Sequence, residues 1–243
     1  MIRFVTGTDT GVGKTVASAW LALGAGAGGL RVRYLKPVQT GLAPGAKGGD
    51  ADFVGAAADV EAEELLRFDE PLAPAVAAGR AGRPIDFEAL VAGVSARASS
   101  CDLLLVEGAG GVLVPITESR TMADLAAAIR AELVVCVRPG LGTLNHTALT
   151  LEAATARGLA VAGLVVCGIP PRPSVAEETN RERLGAMAPV IEVIPRIRGL
   201  SVEAGRAAAL SRAWRRRANS GEIAPEQVAS RRSGAWPQRP RPR

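Results

Sequence analysis

The chain has 243 residues, of which 48% are apolar but only 3% aromatic, and it carries a net charge of +5. That size suits one α/β domain with an aliphatic core and would cramp two. No apolar run approaches the roughly 20 residues that a bilayer requires, and three scattered cysteines, Cys101, Cys136 and Cys167, with no C-x-x-C pair, fit neither a disulfide framework nor a zinc site.

The positive charge is local. Residues 211–243 hold nine Arg and two Glu, a net of +7, which leaves the first 210 residues with 20 basic and 22 acidic side chains. A near-neutral body with a basic, Arg/Pro-rich end reads as a single domain over residues 1–214 and a solvated, disordered tail over 215–243. Neither nucleic acid nor membrane is expected as a partner. The first run of sequence is strand-like and carries no export signal, so a cytoplasmic location is expected.

In chain order, Val/Leu/Ile-rich runs at 2–6, 31–36, 102–107, 132–138, 161–167 and 190–194 read as strands. Their unbroken apolar character is what a sheet covered on both faces requires. Helix-compatible stretches lie between them at 14–27, 86–99, 122–130, 143–157, 174–187 and 201–215. Alternation of this kind predicts a doubly wound, mostly parallel α/β sheet with helices on both faces, of the P-loop type. Residues 41–85 are rich in Gly, Ala and Pro and poorly periodic, and are expected to form loops with short helices.

The first strand runs into Gly7-Thr8-Asp9-Thr10-Gly11-Val12-Gly13-Lys14-Thr15 and then an Ala-rich helix. Glycines let backbone N–H groups curl around phosphate oxygens, and the helix N-terminus adds partial positive charge. Lys14 is placed to reach β- and γ-phosphates and the Thr15 hydroxyl to ligate Mg²⁺. Thr8 stands where the usual pattern has its first glycine, so the loop is a variant. Fold and loop together stop at nucleoside triphosphate binding.

Two further motifs narrow the reading. Lys36-Pro37-Val38-Gln39-Thr40-Gly41 follows the second predicted strand. It puts a second cation, Lys36, at a strand end beside the phosphate loop, where charge on a transferring phosphoryl group needs neutralising. Val106-Glu107-Gly108-Ala109-Gly110-Gly111 ends the next predicted strand in a carboxylate suited to Mg²⁺. The glycines after it let a substrate approach the backbone.

Together the stretches 7–15, 36–41, 106–116 and 141–153 resemble the dethiobiotin synthetases, and the resemblance runs from residue 1 to about Trp214. It implies a homodimeric ligase that takes 7,8-diaminopelargonate, CO₂ (or bicarbonate) and ATP with Mg²⁺, and closes the ureido ring through a phosphorylated carbamate. It implies that Gly11, Val12, Gly13, Lys14, Thr15 and Val16, with Glu107, Cys167, Gly168 and Pro195, surround the nucleotide, and that Asp50 joins Thr15 and Glu107 at the metal. Asp52, two residues on, is the alternative to Asp50. Thr10, Lys36, Thr40, Gly108, Ala109, Gly110, Leu144 and Asn145 are implied substrate contacts, the last two reaching the substrate carboxylate across the dimer interface. Lys36, Lys14 and Thr10 are the implied catalytic residues. The sole histidine, His146, is expected to be structural.

The chain departs from that family's pattern at Cys167-Gly168-Ile169-Pro170, where an adenine-reading Asn is common, and in the residues beyond Trp214. A partitioning ATPase is disfavoured because Asp9 occupies the place of that class's extra lysine. An amidotransferase-linked ligase would need a glutaminase domain for which there is no room.

Overall fold

The computed structural model describes residues 1–200 and 206–221. In chain order the elements are β1 (Ile2–Gly7), α1 (Lys14–Ala27), β2 (Val32–Thr40), α2 (Asp50–Ala58), β3 (Glu61–Phe68), α3 (Pro74–Arg80), α4 (Phe87–Ala98), β4 (Leu103–Gly111), α5 (Met122–Ala128), β5 (Glu132–Val137), α6 (Thr143–Thr155), β6 (Val161–Ile169), α7 (Val175–Met187), β7 (Val190–Pro195) and α8 (Arg206–Asn219). All seven strands are parallel, in the order β3-β2-β4-β1-β5-β6-β7. The doubly wound sheet expected from the sequence is therefore the fold.

Successive residues of a strand face opposite sides of a sheet, and both sides here are covered. Leu104 and Val106 of β4 join Leu90, Met122, Leu125, Leu151 and Leu184 on one face. Leu103 and Leu105 join Val5, Trp20, Phe53, Leu210 and Trp214 on the other. Helices α1, α2 and α8 pack together on that second face, which explains why the strands read as continuous apolar runs.

One stretch differs from expectation. Residues 41–85 contain the short helices foreseen, α2 and α3, but also β3, a full strand at the sheet edge. Its sequence, Glu-Ala-Glu-Glu-Leu-Leu-Arg-Phe, hides it because half its residues are charged. Those charges are paired: Arg33 binds Glu61 and Glu63, Arg97 binds Glu63, and Arg67 binds Glu64. An edge strand tolerates such residues, and they discourage pairing with a further strand. At the other end, α8 runs to Asn219, so residues 215–219 are helical. Residues 222–243, the rest of the expected tail, lie outside the described residues.

β1 is central, between β4 and β5, and the winding reverses around it. The crevice at such a reversal, beyond the strands' carboxyl ends, is where doubly wound folds bind ligands. β2 pairs with β4 from Val32 to Leu35, while its pairing with β3 continues to Thr40. Past Leu35 the two strands therefore diverge, and Lys36 sits at the divergence. Pro37, with no N–H to give, follows at the point where that ladder has ended.

Candidate active site

The chain leaves β1 through a turn whose geometry demands glycine. A Cβ on Gly7 would lie 2.7 Å from both the Asp9 carbonyl and the Val12 side chain. Gly13 has φ 102°, and a Cβ there would meet that of Cys167 at 2.9 Å. The loop is tied to the sheet by Thr8, whose N–H donates to the Cys136 carbonyl at 3.1 Å, and by Arg138, which donates to the Thr10 carbonyl at 3.0 Å. Gly13 also caps α1 without any side-chain cap, which leaves the first N–H groups of the helix for an anion. Lys14 folds back over the loop, its ammonium 3.3 Å from the Asp9 carbonyl. Burial lowers its pKa and the charge of Lys36 lowers it further, against the pull of Glu107.

Beside this loop lies a cluster of charges held at short range. The Lys36 ammonium is 2.7 Å from Asp50 Oδ2, 3.0 Å from Glu107 Oε1 and 3.4 Å from the Gly108 carbonyl. Burial alone would lower the Lys36 pKa, but the two carboxylates outweigh it and the pKa is raised. Burial likewise works to raise the pKa of Asp50, and Lys36 and Thr15 overcome it, so that carboxyl is held below its ordinary value. The Thr15 hydroxyl is 3.0 Å from Asp50 Oδ1 and 3.0 Å from Glu107 Oε1. The second oxygen of Glu107 accepts hydrogen bonds from Ser18 at 2.8 Å and Tyr34 at 2.9 Å.

This donor set fits a hard divalent cation. All three groups are oxygen ligands, and the one hydroxyl proton of Thr15 cannot serve both carboxylate oxygens. Among the described residues no group of three or more His, Cys, Asp or Glu is arranged for a metal. Two carboxylates and a hydroxyl form the kind of set that Mg²⁺ completes with nucleotide phosphates.

The two acids of the Gly48–Asp52 stretch separate clearly. Asp50 faces Thr15 and Lys36, and its N–H donates to Gln39 Oε1 at 3.3 Å. Asp52 accepts from the backbone N–H groups of Gly48 and Gly49 at 2.8 and 3.2 Å and caps α2.

Other expected residues are spread around this centre. A Cβ on Gly110 would approach the Thr10 hydroxyl to 3.5 Å, so Thr10 overlies the glycine run after Glu107. The Thr40 carbonyl accepts from Gln39 at 2.9 Å. Cys167 is buried against Gly13, while Gly168, at φ 81°, has open space where a side chain would be. Pro195 ends β7 beside Ile169. Leu144 is half-buried against the core and Asn145 is exposed, both in the first turn of α6. That helix also contributes His146, Leu149, Thr150 and Ala153 to a cleft of about 350 Å³, closed by Gly7–Asp9 and Gly111–Leu113. Ser18, Tyr34 and Arg138 belong to the site but carry no motif signal, whereas Gln39, which binds the Asp50 N–H, lies within the 36–41 motif without having been singled out.

The chain is similar to known proteins both in sequence and in fold. A family described as an AAA domain matches residues 3–204. The ATP-dependent dethiobiotin synthetase of Anaeromyxobacter sp. (strain Fw109-5) is 48% identical over 210 residues, which is 81% of this chain and 94% of that protein. That of Mycobacterium avium (strain 104) is 46% identical over 222 residues, 88% of this chain and 96% of its own. Among solved structures, a septum site-determining protein complexed with Mg-ADP from Pyrococcus horikoshii OT3 aligns with TM-score 0.51 at 16% identity, covering 89% of this chain and 96% of that one. A ParA family ATPase from Chlorobium tepidum TLS aligns with TM-score 0.55 at 12% identity, covering 90% and 97%. These two likenesses establish the fold alone.

Proposed function

The chain belongs to the ATP-dependent dethiobiotin synthetases, ligases of biotin biosynthesis, and we propose that it closes the ureido ring with the residues gathered around Lys36. The observation that carries this assignment of roles is the meeting of Lys36, Asp50, Glu107 and Thr15 within 3.0 Å contacts beside the phosphate loop. The substrate is 7,8-diaminopelargonate, and one of its amines, as the free base, adds to CO₂ and gives up a proton to solvent to form an anionic carbamate. A carbamate oxygen attacks the γ-phosphorus of ATP and ADP departs. The second amine then attacks the carbonyl of the mixed anhydride, releasing phosphate and a proton as the ring closes.

No strong base is required, because the attacking carbamate oxygen is already anionic. Catalysis rests on holding the partners in line and neutralising charge. Lys14 and the α1 N–H groups, in the Gly11–Val16 stretch, hold the β- and γ-phosphates. Lys36 faces the carbamate and the transferring phosphoryl group, and Thr10, Thr40 and the Gly108–Gly110 backbone hold the diamine. Mg²⁺ at Thr15, Asp50 and Glu107 supplies charge stabilisation at the phosphoryl oxygens. Cys167, Gly168 and Pro195 border the base.

A homodimer belongs to the same proposal. Leu144, Asn145 and the first-turn N–H groups of α6, which has no side-chain cap, take the substrate carboxylate from the neighbouring protomer. We also propose a cytoplasmic location and no nucleic-acid partner. No helix among the described residues is long and apolar enough to cross a membrane.

Lys36→Ala tests the assignment. Nucleotide affinity stays within about threefold, while turnover falls by at least the 10²–10³ typical of losing one charge-stabilising donor. Calorimetry and ADP release measure the two quantities. Lost nucleotide affinity with preserved turnover would overturn the role.

A further inference from the structure

The two oxygens of Glu107 lie in different surroundings. Oε1 is shared by Thr15 and Lys36. Oε2 accepts two hydroxyl hydrogens, from Ser18 of α1 and from Tyr34 of β2. Both hydroxyl residues are buried, Ser18 to 0% exposure and Tyr34 to 1%. The face around Tyr34 is otherwise apolar, built from Val5, Trp20, Leu103 and Leu105. Alanine and phenylalanine would fill these two places without bringing polar groups inside, and Tyr34 is the only tyrosine of the chain. A buried hydroxyl costs free energy unless it is hydrogen-bonded, and these two spend their bonds on one oxygen.

We propose that Ser18 and Tyr34 are positioning residues for the ligase reaction, anchoring Oε2 of Glu107 so that Oε1 is presented to the divalent cation at Thr15. The inference rests on the reading of Glu107 as a metal ligand. A carboxylate with one oxygen pinned from two elements cannot turn about its Cγ–Cδ bond. Released, it can swing both oxygens toward the Lys36 ammonium 3.0 Å away, which withdraws a ligand from the metal. The two anchors also couple the phosphate-loop helix to the strand that carries Lys36. Outer-shell hydrogen bonds of this kind typically govern metal affinity by 10- to 100-fold.

The test compares Tyr34→Phe, Ser18→Ala and Glu107→Gln in the full chain. Mn²⁺ affinity is measured by electron paramagnetic resonance with ADP bound, ADP affinity without metal by calorimetry, and folding by thermal melting. The expected result for Tyr34→Phe is Mn²⁺ binding weakened about tenfold, with metal-free ADP affinity and folding close to wild type. Its turnover recovers at high Mg²⁺, so the change lies in the apparent KM for the metal. Ser18→Ala behaves alike, and Glu107→Gln is affected more strongly. If Tyr34→Phe and Ser18→Ala bind Mn²⁺ like wild type while Glu107→Gln does not, the positioning role is wrong and the reading of Glu107 survives. If Glu107→Gln is also unaffected, that reading falls and the inference with it. Parallel losses of ADP affinity and melting temperature in Tyr34→Phe and Ser18→Ala would mark the hydroxyls as merely structural and overturn the proposal.

Discussion

Lys36 and its carboxylates set the electrostatics of the site at the scale of single residues. Lys36 is 5% exposed and Glu107 1%, so each charge depends on the others for its place inside. Removing one partner of such a set leaves an uncompensated buried charge, a loss on the order of 3 kcal/mol. Lys36→Met therefore destabilises the protein, and the size of the effect depends on pH. The pKa of Asp50 in the folded chain is held below its ordinary 3.8, chiefly against burial and by Lys36. Its stabilising contribution is thus present above about 3.8 and is lost as pH falls through the lowered folded value. The raised pKa of Lys36 keeps its own contribution up to at least the ordinary 10.5. Urea unfolding should show the gap between wild type and Lys36→Met widest near neutrality and narrowing below about pH 4. A gap independent of pH would contradict this coupling. Lys14, Thr15, Lys36 and Glu107 were legible because each sits at a fixed offset from a strand end. Ser18 and Tyr34 were not, since they reach Glu107 across 89 and 73 residues of chain, and only the fold brings them there.

Elements explain why the sequence revealed one half of the sheet more readily than the other. β1, β4, β5 and β6 are covered on both faces and show as apolar runs. β3 lies at the edge, and its alternation is masked by ion-paired Glu61, Glu63, Glu64 and Arg67. With β3 unread, α2 had no strand to lead into, and the two aspartates at its start could not be told apart. In the fold α2 aims Asp50 at Thr15 and Lys36, while Asp52 reaches back to the N–H groups of Gly48 and Gly49. The two therefore fail differently when truncated. Asp52→Ala costs about 1 kcal/mol, the usual loss of a helix cap, and keeps most of the turnover. Asp50→Ala abolishes turnover with Mg²⁺. Denaturant titration and steady-state assays separate the two, and the reverse pattern would make Asp52 the metal ligand.

The whole molecule is a sheet whose winding reverses at β1, so that loops from β1, β2 and β4 converge on one crevice. On one face α8 closes the layer, burying Leu210 and Trp214 beside α1 and α2. The Arg217 guanidinium stands over the Trp20 ring at 5.8 Å. The resemblance that ends near Trp214 thus stops inside a helix, whose exposed side continues in Arg-rich residues while Leu210 and Trp214 anchor the other. The fold is shared with a septum site-determining protein and a ParA family ATPase of 16% and 12% identity, so architecture leaves the chemistry open and the crevice must supply it. The most direct test mixes the full chain with Mg·ATP, bicarbonate and 7,8-diaminopelargonate, and follows ADP release together with the mass of the product. ADP release is expected to depend on the diamine and to match dethiobiotin formed, mole for mole. ADP release indifferent to the diamine, or no ureido product with ATP, CTP or GTP, would contradict the proposed function.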